Sequence, residues 1–220
     1  MNEPFRIFIG WDSRQPQCAD VLAFSLVRHA SIPLDIRFLK LDELAFSRPQ
    51  DPLQSTEFTY TRFLVPALSG YEGRALFLDS DMLCLADIRE LAELDLSRHA
   101  LRVVQHDHQP VNTVKMDGRT QTCYPRKNWS SLMLMNCSKL RLWSPEVVQT
   151  RSGAYLHRFE DIPDQEIGDI PNGWNVLDER HADTRLIHYT NGGPWFENHR
   201  SHPHAAVWFE YRDAMCRANA

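Results

Sequence analysis

The chain lacks the features by which membrane proteins and nucleic-acid-binding proteins are usually recognised. No apolar run in its 220 residues approaches the roughly 20 that a membrane-spanning helix requires. The formal net charge is -5 at pH 7, and no basic stretch is present that would bind nucleic acid or a lipid surface. Residues 1–4 show neither the basic start nor the apolar core of a signal peptide. We therefore expect no nucleic-acid partner, and the sequence carries no strong membrane signal.

Paired cysteine motifs are also absent. The five cysteines are odd in number and widely scattered, and no Cys-x-x-Cys pair occurs among them. This pattern favours reduced thiols in a cytoplasmic protein over a disulfide framework. The sequence has no internal repeat and no linker-like stretch, so its length fits a single domain over residues 1–220.

The first half of the chain alternates between strand-like and helix-like patterns. Apolar periodicity and turn residues predict a strand at residues 6–10, a helix at 17–29, a strand at 34–41, a helix at 56–68 and a strand that ends before Asp79. Such a βαβ order predicts an α/β fold with a largely parallel sheet. Beyond residue 105 the pattern becomes irregular, with a long polar loop at 106–127, and this half is expected to hold a ligand or acceptor pocket.

The most informative segment is an apolar run that ends in two aspartates, at residues 74–81. Because successive side chains of a strand point to opposite faces, Asp79 and Asp81 face the same side. Open α/β sheets bind their ligands at the carboxyl ends of their strands. Two carboxylates there suit Mg²⁺ or Mn²⁺, and such an ion suits a diphosphate. The alternative is a loop with two solvated acids, because an Asp-x-Asp pair often occurs by chance.

Two further side chains are expected at the same edge of the sheet. Asp12 follows the first strand, and its carboxylate either accepts an N–H group of a base or caps the following helix. His188 ends an apolar strand and is followed by Gly192 and Gly193. An imidazole is a suitable third ligand for Mn²⁺, and glycines let backbone N–H groups approach a phosphate closely. The alternative is an ordinary core or surface histidine.

Three more candidates have structural alternatives that are at least as strong. Arg62 lies between apolar residues. It either binds a phosphate or is a surface residue whose aliphatic stem covers the core. The sequence pattern alone favours the surface role. Asp164 and Gln165 follow a proline and fit a helix start, where the helix dipole favours an acid.

Taken in order along the chain, these motifs resemble the retaining glycosyltransferases of family 8, which include bacterial lipopolysaccharide galactosyl- and glucosyltransferases and glycogenin. The resemblance runs from about residue 5 to residue 196 and implies a GT-A fold, a mixed α/β sheet flanked by helices. It also implies transfer of a hexose from a UDP-sugar to a saccharide or glycan acceptor, with Mn²⁺ or Mg²⁺ as cofactor. Residues 1–105 then form the nucleotide-binding half and residues 106–220 the acceptor-side half.

The resemblance also implies roles for individual residues. The metal ligands are expected to be Asp79, Asp81 and His188. The donor is expected to contact Gly10, Asp12, Arg62, Asp79, Gly192 and Gly193. Asp164 and Gln165 resemble the residues that flank the transferred sugar. Since an amide is a poor nucleophile, this pattern favours attack of the acceptor on the face from which UDP leaves.

The family pattern is incomplete in this chain. Residues 188–195 form a segment one residue shorter than its family counterpart, and it lacks the phosphate-binding lysine. Arg14 and Arg200 are the two candidates to replace that charge. Trp129 stands where the family has an asparagine and would narrow the sugar pocket. The missing lysine leaves an alternative function, a catalytically weak or inert module that binds a nucleotide sugar or a glycan.

Overall fold

The computed structural model of the protein describes residues 3–49, 54–107 and 126–218. Most of the polar loop expected at residues 106–127 lies outside these ranges. The strands are β1 (Phe5–Gly10), β2 (Leu34–Leu39), β3 (Arg74–Leu78), β4 (Met82–Cys84), β5 (Leu101–Val103), β6 (Leu132–Asn136), β7 (Ile167–Asp169), β8 (Val176–Leu177) and β9 (Leu186–His188). The helices are α1 (Pro16–His29), α2 (Val65–Leu68), α3 (Arg89–Ala92), α4 (Pro145–Thr150), α5 (Gly153–His157) and α6 (Ala205–Ala218). Within the described ranges, no helix combines the length and apolarity needed to cross a bilayer.

The main sheet has six strands in the order β2-β1-β3-β6-β5-β7. The first three strands are parallel to one another, as the βαβ order predicts. β6 runs antiparallel to both β3 and β5, and β7 is parallel to β5. The expected α/β fold is confirmed, but the sheet is mixed rather than largely parallel, because β6 pairs antiparallel with both of its neighbours.

Side chains of β1 and β3 alternate between two apolar layers, one on each face of the main sheet. Phe8 and Phe77 pack into one layer, whereas Ile7 and Leu76 pack into the other, against α1. Because both faces are covered, β3 is buried from its second residue to its last. The chain therefore leaves the core at Asp79, at the carboxyl edge of the sheet.

A second sheet of three strands, in the order β4-β9-β8, brings the end of the chain back to this edge. β4 pairs antiparallel with β9, and this register sets Met82 opposite His188. An apolar cluster with Leu83, Ile187 and Trp208 holds this sheet against α1 and α6. Because β4 begins directly after Asp81, the pairing places His188 beside the aspartates.

The helix expected over residues 56–68 is not continuous. Residues 56–60 form turns, and they lead into a 3₁₀ turn, Thr61–Leu64, and the short helix α2. Pro66 accounts for the interruption, since it has no N–H to donate and its ring clashes with the carbonyl of residue 62 in a regular helix. Ser55, the residue before the expected helix, does not cap one, because no helix follows it directly; its carbonyl oxygen accepts a hydrogen bond from Arg14 Nη2 at 2.6 Å.

Gly10 lies at the end of β1 in direct contact with an aromatic ring of the core. A Cβ atom at this position would lie 2.4 Å from the ring of Phe58, which is buried against Phe77. We therefore expect Gly10→Ala to lower the free energy of unfolding by about 1–3 kcal/mol through overpacking. Urea denaturation of the variant and the wild type measures this difference.

Gly153→Ala is the matched control for this prediction. Its added Cβ would lie 3.1 Å from the hydroxyl oxygen of Tyr60, and Gly153 is the first residue of α5, where alanine is the better helix former. We expect the free energy of unfolding to change by less than about 1 kcal/mol. Equal losses in the two variants would contradict the packing explanation for Gly10.

Candidate functional site

Two carboxylates and one imidazole meet at the carboxyl edge of the main sheet. Asp79 and Asp81 follow β3, and His188 is the last residue of β9. One oxygen or nitrogen atom of each side chain lies within 4.8 Å of the others. His188 Nε2 is 3.2 Å from Asp81 Oδ1. The structure thus brings together the three residues that the sequence proposed as metal ligands.

Arg62 is buried behind this cluster, with only 5% of its surface exposed. Its Nη1 atom lies 2.8 Å from Asp79 Oδ1 and donates a hydrogen bond to the carbonyl oxygen of Ser130, also at 2.8 Å. The guanidinium carbon lies 5.3 Å and 5.0 Å from the ring centroids of Phe58 and Phe77, a distance at which cations are attracted to aromatic rings. The surface role that the sequence pattern favoured for Arg62 is therefore wrong.

His188 is buried, and its protonation depends on the acids around it. Burial alone disfavours the charged imidazolium, but the carboxylate of Asp81, and then those of Asp79 and Asp178, outweigh this effect. The pKa of His188 is consequently raised above its ordinary value of 6.5. A cation or a proton is thus favoured at this point of the site.

Asp12 is fully buried and bound to Arg14, two residues further along the chain. Oδ1 accepts hydrogen bonds from the backbone N and Nε of Arg14 at 3.0 and 2.9 Å. Oδ2 accepts from Arg14 Nη2 at 2.6 Å and from the backbone N of Glu57 at 3.3 Å. Burial raises the pKa of Asp12, but these hydrogen bonds and the charge of Arg14 outweigh it, so the pKa lies below its usual range. A base could reach Asp12 only by displacing one of these donors.

A cleft of about 390 Å³ opens beside the metal-ligand candidates. Its walls include Arg14 and Thr56 on the β1 side of the molecule, Asp81 from the metal-ligand cluster, and Gly192 and Trp195 from the C-terminal region. Among the described residues that line it, Arg14 is the one with a permanent positive charge. The cleft is therefore lined by one carboxylate of the metal-ligand cluster and by a guanidinium that is paired with Asp12.

The short segment after His188 is held in place by Asp178. The Asp178 carboxylate accepts hydrogen bonds from the hydroxyl of Thr190 and from the backbone N and side-chain Nδ2 of Asn191, the last two at 3.1 and 2.7 Å. The backbone N of Asp178 donates to the carbonyl oxygen of His188 at 2.8 Å. Sequence reasoning missed this residue, because the contact depends on the pairing of β8 with β9.

Gly192 and Gly193, in this segment, are required for different steric reasons. Gly192 lines the cleft and has a φ angle of +107°, which strongly disfavours residues with a side chain. A Cβ atom on Gly193 would lie 2.0 Å from the ring of Trp195, so close packing alone explains this glycine.

The structure does not bring Asp164 and Gln165 into the cleft. They form a 3₁₀ turn, Asp164–Glu166, before β7, and both are exposed. The side chain of Asp164 is 85% exposed and forms an ion pair with Arg126. Arg200 is likewise exposed and is not among the residues that line the cleft.

Comparison with known proteins identifies relatives of this chain. The family model described as "Glycosyl transferase family 8" matches residues 22–143. Protein CDI of Arabidopsis thaliana is 43% identical over 232 residues, an alignment that covers 99% of this chain and 90% of that protein.

Solved structures of glycosyltransferases share the fold. GlyE of Streptococcus pneumoniae TIGR4 superposes with a TM-score of 0.63 at 18% identity, covering 96% of this chain and 60% of GlyE. The chain thus spans about 60% of the length of that structure. An active-site mutant of LgtC superposes with a TM-score of 0.64 at 16% identity, covering 96% of both chains. At these identities the likeness shows the GT-A fold alone.

The raised pKa of His188 predicts how stability changes with pH when metal is removed by a chelator. The folded-state pKa lies above the ordinary value of 6.5, so the ion pair with Asp81 contributes fully below that pH and is lost as the pH rises through the folded-state pKa. Asp81→Asn should flatten this decline in the free energy of unfolding. Urea denaturation at a series of pH values checks it.

His181→Gln is the control for this pH effect. His181 forms a similar pair with Glu179, at 3.0 Å, but both side chains are more than half exposed, so the pair contributes little to stability. The pH profile of this variant should match that of the wild type. A decline that persists unchanged in Asp81→Asn would show that other groups cause it.

Proposed function

The chain belongs to glycosyl transferase family 8 and is a glycosyltransferase, and on this premise we propose that it transfers a hexose from a UDP-sugar to a saccharide acceptor. The observation that carries the proposal is the cluster of Asp79, Asp81 and His188 beside a cleft of about 390 Å³, which we propose binds a nucleoside diphosphate. Such a cluster at the carboxyl edge of the sheet has the ligand chemistry of a site for Mn²⁺ or Mg²⁺.

The residues at this site fit a divalent cation. Asp81 Oδ1 and His188 Nε2 are only 3.2 Å apart, and two lone pairs at that distance require a positive charge or a proton between them. Asp79, Asp81 and His188 would hold the ion, which when bound neutralises negative charge on the leaving diphosphate. Arg62 keeps Asp79 in position by its ion pair and contributes a second positive charge.

We assign the role of the family's missing lysine to Arg14. The guanidinium of Arg14 lines the cleft together with Asp81 and Gly192, and Asp12 orients it through two side-chain hydrogen bonds. Asp12 then supports the nucleotide site by positioning Arg14 rather than by contacting the base directly. Gly192 remains the proposed backbone contact to the phosphate, whereas Gly10 and Gly193 are explained by packing.

The transfer itself breaks the bond between the anomeric carbon and the phosphate oxygen and forms a bond to the acceptor oxygen. The proton of the acceptor hydroxyl goes to the departing phosphate oxygen. We propose attack on the face from which UDP leaves, because Gln165 carries an amide that is a poor nucleophile. The roles of Asp164 and Gln165 beside the sugar rest on the family resemblance and require both side chains to reach the donor in the complex.

A second candidate function is a nucleotide-sugar-binding module without turnover. The absence of the family's lysine from residues 188–195 favours it, since leaving-group stabilisation is central to this chemistry. Release of UDP from a UDP-hexose in the presence of Mn²⁺ separates the two candidates, because only the enzyme produces UDP.

A cytoplasmic location fits the four free cysteines of the described ranges.

Binding of UDP should depend on the divalent ion and on Asp81. Isothermal titration calorimetry with Mn²⁺ should show UDP binding that is weakened strongly by a chelator. Asp81→Ala should remove the metal-dependent part of this affinity, because it deletes one of three ligands. Absence of UDP binding both with and without Mn²⁺ would refute the proposed donor.

Replacing Arg14 tests its contact with phosphate. Arg14→Gln should weaken UDP binding by about 10–100-fold, the value of a charge-assisted hydrogen bond, and Arg14→Lys should restore part of it. Uridine, which has no phosphate, should bind both variants as it binds the wild type. A parallel loss of uridine affinity would contradict the assignment.

Arg37→Gln is the matched control for Arg14. Arg37 also pairs with an aspartate two residues away, Asp35, at 2.7 Å, but it lies on β2 and is not among the residues that line the cleft. Its replacement should leave UDP affinity unchanged, which separates loss of the local contact from loss of overall positive charge.

A further inference from the structure

A chain of buried hydrogen bonds leads from His188 to the turn before β6. His188 Nδ1 lies 2.9 Å from Asn175 Oδ1. Asn175 Nδ2 lies 2.9 Å from Ser131 Oγ, and Ser131 Oγ lies 2.6 Å from the carbonyl oxygen of Asn128. The residues whose side chains form this series of hydrogen bonds are almost fully shielded from solvent, with exposures of 0% for Asn175 and 3% for Ser131 and His188.

The direction of every hydrogen bond in this chain follows from its last member. The carbonyl oxygen of Asn128 can only accept, so the one hydroxyl proton of Ser131 points to it. Ser131 Oγ must then accept from Asn175, which identifies the contacting atom as the amide nitrogen. The other amide atom of Asn175 is consequently its oxygen, which can only accept, and Nδ1 of His188 must be the donor.

We propose that Asn175 and Ser131 form a hydrogen-bond relay that keeps a proton on Nδ1 of His188 and so directs the Nε2 lone pair toward Asp81. A histidine binds a metal only through a nitrogen without a proton, and the partner of the other nitrogen decides which one that is. The metal-binding consequence rests on the proposed function, whereas the position of the proton does not. Asn175 and Ser131 are thus positioning residues.

The turn that anchors the relay also anchors the other side of the metal-ligand cluster. The carbonyl oxygen of Ser131 accepts a hydrogen bond from the backbone N of Asp79 at 2.9 Å. The residue before it, Ser130, accepts from Arg62, the partner of Asp79. Asn128 starts the turn with a φ angle of +65°, a conformation that asparagine tolerates better than most residues. One turn therefore fixes ligands that come from two different sheets.

The position of the proton can be measured on the wild-type protein without metal. Nitrogen-15 NMR of the imidazole at alkaline pH, where His188 is neutral, distinguishes a protonated ring nitrogen from one with a free lone pair. We expect a proton on Nδ1 and none on Nε2. In Ser131→Ala the amide of Asn175 loses its anchor and can turn over, so we expect a mixed or reversed pattern.

The consequence for the metal is measured by titrating Mn²⁺ and following its electron paramagnetic resonance signal. Ser131→Ala and Asn175→Leu should each weaken Mn²⁺ binding by about 10–100-fold, as is typical for loss of a partner behind a metal ligand. Ser144→Ala is the control, because it removes the cap of α4 and lowers stability away from the relay. Its Mn²⁺ affinity should equal that of the wild type.

The possible results separate the relay from the proposed metal site. A proton on Nε2 in the wild type would overturn the relay even if the protein binds Mn²⁺. Wild-type Mn²⁺ affinity in Ser131→Ala would overturn the positioning role, and this conservative variant serves even if Asn175→Leu does not fold. A proton on Nδ1 in a protein that binds no Mn²⁺ would support the relay and refute the proposed cofactor.

Discussion

The ion pair between Arg62 and Asp79 is the interaction on which the architecture of the site depends. A strand buried on both faces delivers Asp79 to the edge of the sheet, where a carboxylate loses much of its hydration and needs a compensating charge. Arg62 supplies it at 2.8 Å, and its own burial is compensated by the carbonyl of Ser130 and the rings of Phe58 and Phe77. Arg62 is buried and the side chain of Asp79 is only 14% exposed. Removal of Asp79 would therefore leave the guanidinium without its counter-charge inside the protein.

The site is assembled from elements that are distant in the chain and joined by two short connections. The turn around Ser131 contacts both Asp79 and, through Asn175, His188. On the other side, Asp178 holds the residues after His188. Both connections use short, buried or half-buried polar side chains with few rotamers, which position a ligand more firmly than long flexible ones. Specific hydrogen bonds thus position the site residues of the second half, in addition to the apolar packing that holds this half together.

The incomplete family pattern has a structural counterpart. Where the family carries a lysine, this chain has a shorter segment whose Thr190 and Asn191 are engaged by Asp178. Arg14, which is hydrogen-bonded to Asp12, lines the cleft and is the residue that we propose replaces this lysine. Asp12 is buried and accepts hydrogen bonds from Arg14 and from the backbone N of Glu57, so a base could contact it only by displacing one of these donors.

The sequence by itself determined the features that depend on local periodicity. The alternation of β3 puts Asp79 and Asp81 on one side, and the βαβ order makes the first three strands parallel, because both follow from the geometry of neighbouring residues. Even so, Pro66 was a local signal against the continuous helix at 56–68 that the apolar pattern favoured. Only the tertiary structure decided that Arg62 is buried and that Asp12 binds Arg14. It also decided that Asp164 and Gln165 lie outside the described cleft.

The contact between His188 and Asp81 likewise depends on the tertiary structure. It requires the pairing of β4 with β9, strands about a hundred residues apart in the chain, and no local pattern specifies such a contact.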